Sequence, residues 1–208
     1  MMMYKDITGI ILSGGFSSRM GADKALLVIN GQTIIERIVN LLSSLFENIL
    51  IITNSPAEYN SLNVPLYEDV YKHKGPLSGI HSGLVNSKTQ TNFFISCDAP
   101  LVTEQLIKYV VDYSSDKPVK YCADSNHQYP LIGVYSNSLI PDLENLFNTT
   151  INGAIEKDKK YSINSFLKNF ETEIIQVENL PFYSEKLFFN VNTPDDYLKL
   201  KEYFNINY

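Results

Sequence analysis

Apolar residues along the chain follow two alternating rhythms, short continuous runs and helical stripes. The runs ITGIIL at 7–12, NILIIT at 48–53, NFFISC at 92–97 and PVKYCA at 118–123 are β-branched or aromatic-rich, so each predicts a buried strand. Between the first two, Ile34, Ile35, Ile38, Val39, Leu42, Leu45 and Phe46 recur at three- and four-residue spacing and predict a helix with one apolar face. Thr103 is placed as an N-cap with Val102 and Ile107 as a hydrophobic staple, and Leu106, Val110 and Val111 extend that helix's buried face. Thr193, followed by Pro194, Asp195 and Asp196, predicts a helix start, because proline suits the first helical position and acids suit the positive end of the dipole. Tyr197, Leu200 and Phe204 then face the core. Strand and helix alternating in this way predict an α/β fold with a doubly wound, mostly parallel sheet in three α/β/α layers. Such a sheet binds ligands beyond the carboxyl ends of its strands.

Composition changes the picture little. The 208 residues are 44% apolar with 10 Gly and 9 Pro, an ordinary globular balance that excludes disordered and collagen-like chains. Net charge is −6, so the chain as a whole has no electrostatic drive toward nucleic acid or an anionic membrane. An anionic substrate must meet local positive charge. Cys97 and Cys122 are too few for a disulfide framework and too far apart for a CxxC site, which fits a reducing compartment. The first apolar run is too short for a signal-peptide core or a membrane span, and a cytoplasmic protein is expected.

The chemistry concentrates at 12–24, LSGGFSSRMGADK, directly after the first strand. A stretch rich in Gly and Ser lets backbone N–H groups approach phosphate oxygens without side-chain clash, which points to Leu12, Ser13, Gly14 and Gly15 as a phosphate cradle. Arg19 and Lys24 supply the missing positive charge. The segment is neither GxxxxGK[ST] nor GxGxxG. The bland alternative is a Gly-Gly turn with two solvated cations; so many ligand-suited residues behind a first strand favour the cradle. A second candidate is Asp98 in CDAP, at a strand's carboxyl end, where a carboxylate can hold Mg²⁺ against a triphosphate. Its alternative is an aspartate that merely begins a turn before proline. Cys97 reads as a small buried residue rather than a nucleophile.

The loop resembles, position by position, the signature of the nucleotidyltransferase family typified by the molybdenum cofactor guanylyltransferases, which also includes cytidylyl- and sugar-nucleotidylyltransferases. Leu12, Gly14, Gly15, Ser17, Arg19, Met20, Gly21, Asp23 and Lys24 match, and Ser13 stands where alanine is common. CDAP is similar to the family's CDxP metal motif, and GPLSGIHSGL at 75–84 to its GPLxGI segment. Asp69, in YEDVYKHKG, resembles the acidic position associated with nucleotide recognition, and Asn54, just beyond the second strand, is a further polar candidate. FFNVNTPDDY at 188–197 resembles the pattern that marks guanylyltransferases within the wider group, and PLIGVY, within 129–135, resembles the segment preceding it. The resemblance spans nearly the whole chain and is weakest over 137–187.

The resemblance implies a Rossmann-like nucleotidyltransferase fold in one domain, 1–208, with GTP and Mg²⁺ held by about residues 1–115 and molybdopterin by 116–208. It implies guanylyl transfer from GTP to molybdopterin, with Arg19, Lys24 and Asp98 catalytic, Asp98 on the metal, and Asn190 and Asn192 contacting molybdopterin. Backbone capping ahead of Thr193 is the other role open to those asparagines. Molybdoenzymes or other cofactor-biosynthesis proteins would be the protein partners, with no nucleic acid and no membrane. His73, His81 and His127 lack metal spacing and read as surface or structural. Lys157, Lys159 and Lys160 fit a solvated helix end or a contact with a phosphate-bearing partner. Transfer of another nucleotide, or a non-catalytic nucleotide-binding module, remains open on fold grounds.

Overall fold

The computed structural model describes residues 3–14, 23–149 and 161–205. They run β1 (Tyr4–Ser13), β2 (Val28–Ile29), β3 (Gln32–Thr33), α1 (Ile34–Leu45), β4 (Phe46–Thr53), β5 (Leu66–Tyr67), α2 (Pro76–Asn86), β6 (Thr91–Ser96), α3 (Glu104–Asp112), β7 (Val119–Ala123), β8 (Gln128–Ser136), α4 (Ile140–Asn148), α5 (Ile163–Leu167), β9 (Thr172–Gln176) and α6 (Pro194–Asn205). Seven strands form one sheet in the order β5-β4-β1-β6-β8-β7-β9. β8 pairs antiparallel with both β6 and β7, and every other pairing in that sheet is parallel. The doubly wound, mostly parallel sheet expected from the sequence is therefore present.

Period-two alternation decides the layers. Along β1, Ile11 belongs to the core shared with α1, α3 and Leu200 of α6, whereas Ile10 and Leu12 belong to the core shared with α2, α4 and α5. All four apolar runs read as strands are found, and α1 buries the predicted face of Ile34, Ile35, Ile38, Val39, Leu42 and Leu45. Each such side chain contributes about 1.5–3 kcal/mol on burial. A capping box starts α1, with the Thr33 hydroxyl accepting from the Glu36 N–H and the Glu36 carboxylate accepting from the Thr33 N–H. The Thr103 and Thr193 caps are also found, each side chain accepting an amide three residues on, at 3.4 and 3.2 Å.

Several elements carry little pattern in the sequence. β2 and β3 are joined by Asn30 and Gly31, both at positive φ (50° and 79°), a tight hairpin turn. β7 and β8 form a second hairpin, where Asp124 Oδ1 accepts from the N–H groups of Asn126 and His127, both at 2.8 Å. β8 then bulges: Tyr121 faces Gly133 but Cys122 faces Tyr129, so Pro130, Leu131 and Ile132 stand out of the β7 ladder. Proline cannot donate to a ladder, which suits it to this place. Gly133 is required where the two strands close again, since a Cβ there would lie 2.5 Å from the Lys120 carbonyl oxygen. Among the described residues no helix is long and apolar enough to cross a membrane.

Gly133→Ala is expected to keep the fold but lower the denaturant midpoint, by about 1–3 kcal/mol of stability, because the clash is with backbone and not with the end of a flexible side chain.

Candidate active site

The site grows from the carboxyl ends of β1, β4 and β6. Leu12 sits opposite Ile52 of β4 and Ser96 of β6, and Ser13 opposite Thr53. The residues that follow, Gly14, Asn54 and Cys97-Asp98, therefore leave the sheet side by side. A small cavity of about 60 Å³ is lined by Leu12, Gly14, Asn54, Asp69 and the start of α2 at Gly75, Pro76 and Gly79. A larger cleft of about 410 Å³ is lined by Asp98, Ala99, Asn190, Gln128 to Ile132 along the β8 bulge, and Ser162 to Asn164 at the start of α5. The two adjoin, since Pro76, Ser96 and Leu131 line both.

Lys24 begins a three-residue 3-10 turn, Lys24–Leu26, capped by Asp23, whose Oδ1 accepts from the Ala25 N–H at 2.9 Å. Its Nζ donates to Asn192 Oδ1 at 2.9 Å and lies 3.6 Å from Asp98 Oδ2, with both charged side chains largely covered. The C-terminal segment is locked in turn: the Val191 N–H donates to the Asp98 carbonyl at 3.0 Å, and the Asp196 carboxylate accepts from the N–H groups of Asn192 and Thr193 and from the Thr193 hydroxyl. Burial opposes ionisation of Asp196, but those donors hold its carboxyl below the usual range. The helix cap is thus made by Thr193 and Asp196. Neither asparagine side chain makes it: Asn190 lines the larger cleft and Asn192 faces Lys24.

In the small cavity, Asn54 Nδ2 donates to Asp69 Oδ2 at 2.8 Å, while Asp69 Oδ1 is buried without a hydrogen-bond partner. Burial raises the Asp69 pKa, partly offset by Asn54, by the Ser78 hydroxyl and by the nearby Lys72 and His73. An unpaired buried acceptor is costly.

Sequence reasoning missed Tyr59, which lies in a 3-10 stretch, Pro56–Leu62, without hydrophobic rhythm. Its ring is fully buried, and its hydroxyl meets Ser13 Oγ at 2.8 Å and donates to Asp23 Oδ2. The β8 bulge was also missed, although Pro130 within an apolar run marks it. Gly15, Arg19 and the lysines 157, 159 and 160 lie outside the described residues. Cys97 is buried, and burial together with Asp98 pushes its thiol up to about 12, which fits a packing role. His81 is buried between Tyr71 and Phe147, away from both cavities.

Magnesium commonly takes one or two carboxylates and completes its shell with water and substrate phosphates. Among the described residues no group of three or more His, Cys, Asp or Glu could cage a metal, and the Asp98 carboxylate at the larger cleft is an oxygen donor of the kind such a shared cation takes.

A mostly parallel α/β sheet with Gly14, Lys24 and Asp98 gathered beyond its strand ends suits the binding of a nucleotide. The chain belongs to the MobA-like NTP transferase domain family, whose family model matches residues 9–161. It is 34% identical over 204 residues to a protein of Carboxydothermus hydrogenoformans named "Probable molybdenum cofactor guanylyltransferase", covering 97% of this chain and 98% of that one. A Clostridium perfringens protein of the same name is 32% identical over 203 residues, covering 92% and 96%. Among solved structures, molybdopterin-guanine dinucleotide biosynthesis protein A of Archaeoglobus fulgidus superposes with a TM-score of 0.78 at 20% identity, over 95% of this chain and 98% of that one, a likeness of fold.

Because burial raises the pKa of Asp69 in the folded state, the folded protein binds that proton more tightly than the unfolded chain does. Its contribution to stability is largest below the ordinary carboxylate value and is lost as pH rises through the raised one. Asp69→Asn is therefore expected to gain stability relative to the parent as pH rises above about 4, read from denaturant midpoints along a pH series.

Proposed function

We propose that this chain transfers the guanylyl group of GTP to the terminal phosphate of molybdopterin, releasing pyrophosphate and forming the guanine dinucleotide cofactor. The observation that carries the reading is the meeting of Lys24, Asp98 and Asn192 beside two adjoining cavities, in a family of NTP transferases. The full-length relatives named as guanylyltransferases support it.

In this reading the small cavity takes the guanine. The unpaired Asp69 Oδ1 offers an acceptor to the N1–H and N2–H₂ donors of that base, Asn54 orients the carboxylate, and Leu12, Ser13, Gly14 and Gly15 face the sugar and phosphates. The larger cleft takes molybdopterin against Asn190, whose amide both donates and accepts and so matches the mixed edge of a pterin at no charge cost. Residues 1–115 thus serve mainly the nucleotide and 116–208 mainly the pterin, with Asn192 crossing that division to reach Lys24. Asn192 is assigned to the terminal pterin phosphate beside the lysine.

The attacking phosphate oxygen is already ionised near neutral pH, so no general base is needed. The reaction needs alignment and neutralisation of charge. Lys24, together with Arg19, neutralises charge on the triphosphate and leaving group, and Asp98 is the residue that would hold Mg²⁺. The bound cation would supply electrophilic stabilisation of the phosphate oxygens. Asn192 and the Asp23 turn keep the Lys24 ammonium in place before substrate arrives, so little reorganisation is required.

Pyrophosphate release with purified protein, Mg²⁺ and molybdopterin is expected with GTP and not with ATP, CTP or UTP; equal release with CTP overturns the guanine assignment. Asp98→Asn and Lys24→Ala should each lower turnover by on the order of a hundredfold, about 3 kcal/mol, without unfolding the chain. Asn190→Ala should weaken molybdopterin binding while GTP affinity stays parental, a split that calorimetric titration of each ligand reads directly. Parental binding of both ligands by that variant would end the pterin assignment.

A further inference from the structure

We propose that Tyr59 is a positioning residue for Lys24, its hydroxyl joining the end of β1 at Ser13 to the cap of the lysine turn at Asp23. The inference deepens the proposed function and rests on the role given there to Lys24.

Three stretches distant in sequence meet at one phenol. A carboxylate can only accept, so the single Tyr59 hydroxyl proton goes to Asp23 Oδ2, and the Tyr59 oxygen must accept from the Ser13 hydroxyl. The polarity of the chain is thereby fixed: Ser13 donates to Tyr59, which donates to Asp23. The other Asp23 oxygen accepts the Ala25 N–H, so both arms of the carboxylate are committed. Burial and the Asp23 carboxylate push the phenol far above its ordinary pKa, keeping it a donor throughout the working pH range.

The relay adds to the anchors of a short turn: Ala25 is buried in the core, and the Ile34 N–H donates to the Leu27 carbonyl at 3.0 Å. Lys24–Leu26 is three residues long, and so short a 3-10 segment has little cooperative stability of its own. The cap fixes the end of the turn from which Lys24 departs, since the cap residue is covalently next to that lysine. The ring of Tyr59 is fully buried in the core under α1, so the hydroxyl is aimed by packing that does not move with the site. Filling that space needs only a phenylalanine; the hydroxyl is what reaches the site. Ser13, the position where alanine is common in the family signature, supplies the donor that keeps the phenol oxygen satisfied.

The test is Tyr59→Phe, which keeps the ring and removes the relay. Against the parent it should keep a melting temperature within a few degrees, lower kcat and raise the KM for GTP by about tenfold in kcat/KM, and leave the KM for molybdopterin unchanged. A readout without substrate runs alongside: acetylation of Lys24 followed by mass spectrometry should be several-fold faster in the variant, with the exposed Lys5 as internal control. Tyr59→Phe combined with Asp23→Asn should lose no more than the worse single variant, because both cut one chain. Parental kinetics for GTP, or parental Lys24 labelling, would overturn the proposal; so would a fall in melting temperature with equal losses for both substrates, the mark of a merely structural tyrosine. If the parent uses a different triphosphate, the guanine assignment fails and the same comparison on that triphosphate decides Tyr59. If the parent transfers none, the Lys24 labelling decides it.

Discussion

The site depends first on the register of β1 between β4 and β6. Leu12 is aligned with Ile52 on one side and Ser96 on the other. Parallel pairing sends all three strands out at the same edge, so Gly14, Asn54 and Asp98 emerge as neighbours. A slip of one residue would exchange the faces of Ile10, Ile11 and Leu12 and move apolar side chains from one core to the other. The two cores thus enforce the register, and the register assembles the chemistry.

An acidic chain that handles anionic substrates must concentrate its positive charge, and Lys24 shows how this is done. The lysine donates to a neutral amide, Asn192, and pairs at 3.6 Å with the Asp98 carboxylate. The amide comes from the segment before α6, which the Val191 amide and the Asp196 carboxylate pin against Asp98 and the helix start. Residues 168 positions apart are thereby fixed to each other in the free protein.

The same economy explains where the fold tolerates an energetic cost. Asp69 keeps one buried oxygen without a partner, and burial raises its pKa, a local penalty that a purely structural site would have lost by substitution. The Pro130–Ile132 bulge likewise interrupts the β7 ladder to turn side chains toward the larger cleft. Both departures from regular structure lie at the cavities, as expected where local rules yield to ligand binding.

Sequence by itself determined the central strands, the amphipathic α1 and the threonine caps, because each is written in local spacing: apolar runs, three- and four-residue stripes, a hydroxyl ahead of a helix. It also marked Asp69, Asp98, Lys24, Asn190 and Asn192 as residues of interest, through resemblance to a family signature. It did not reveal β9, α4 or the reversed β8, whose segments carry weak periodicity and owe their form to the strands and helices already in place. Nor could it show that Asn192 turns to Lys24 while Asn190 turns to the cleft, since two exposed asparagines flanking a buried valine look alike in one dimension. Tyr59 is the plainest case. Nothing in PAEYNSL distinguishes it, and its meaning arises only where tertiary packing brings its hydroxyl between Ser13 and Asp23, because a hydrogen bond requires a distance that sequence separation does not encode.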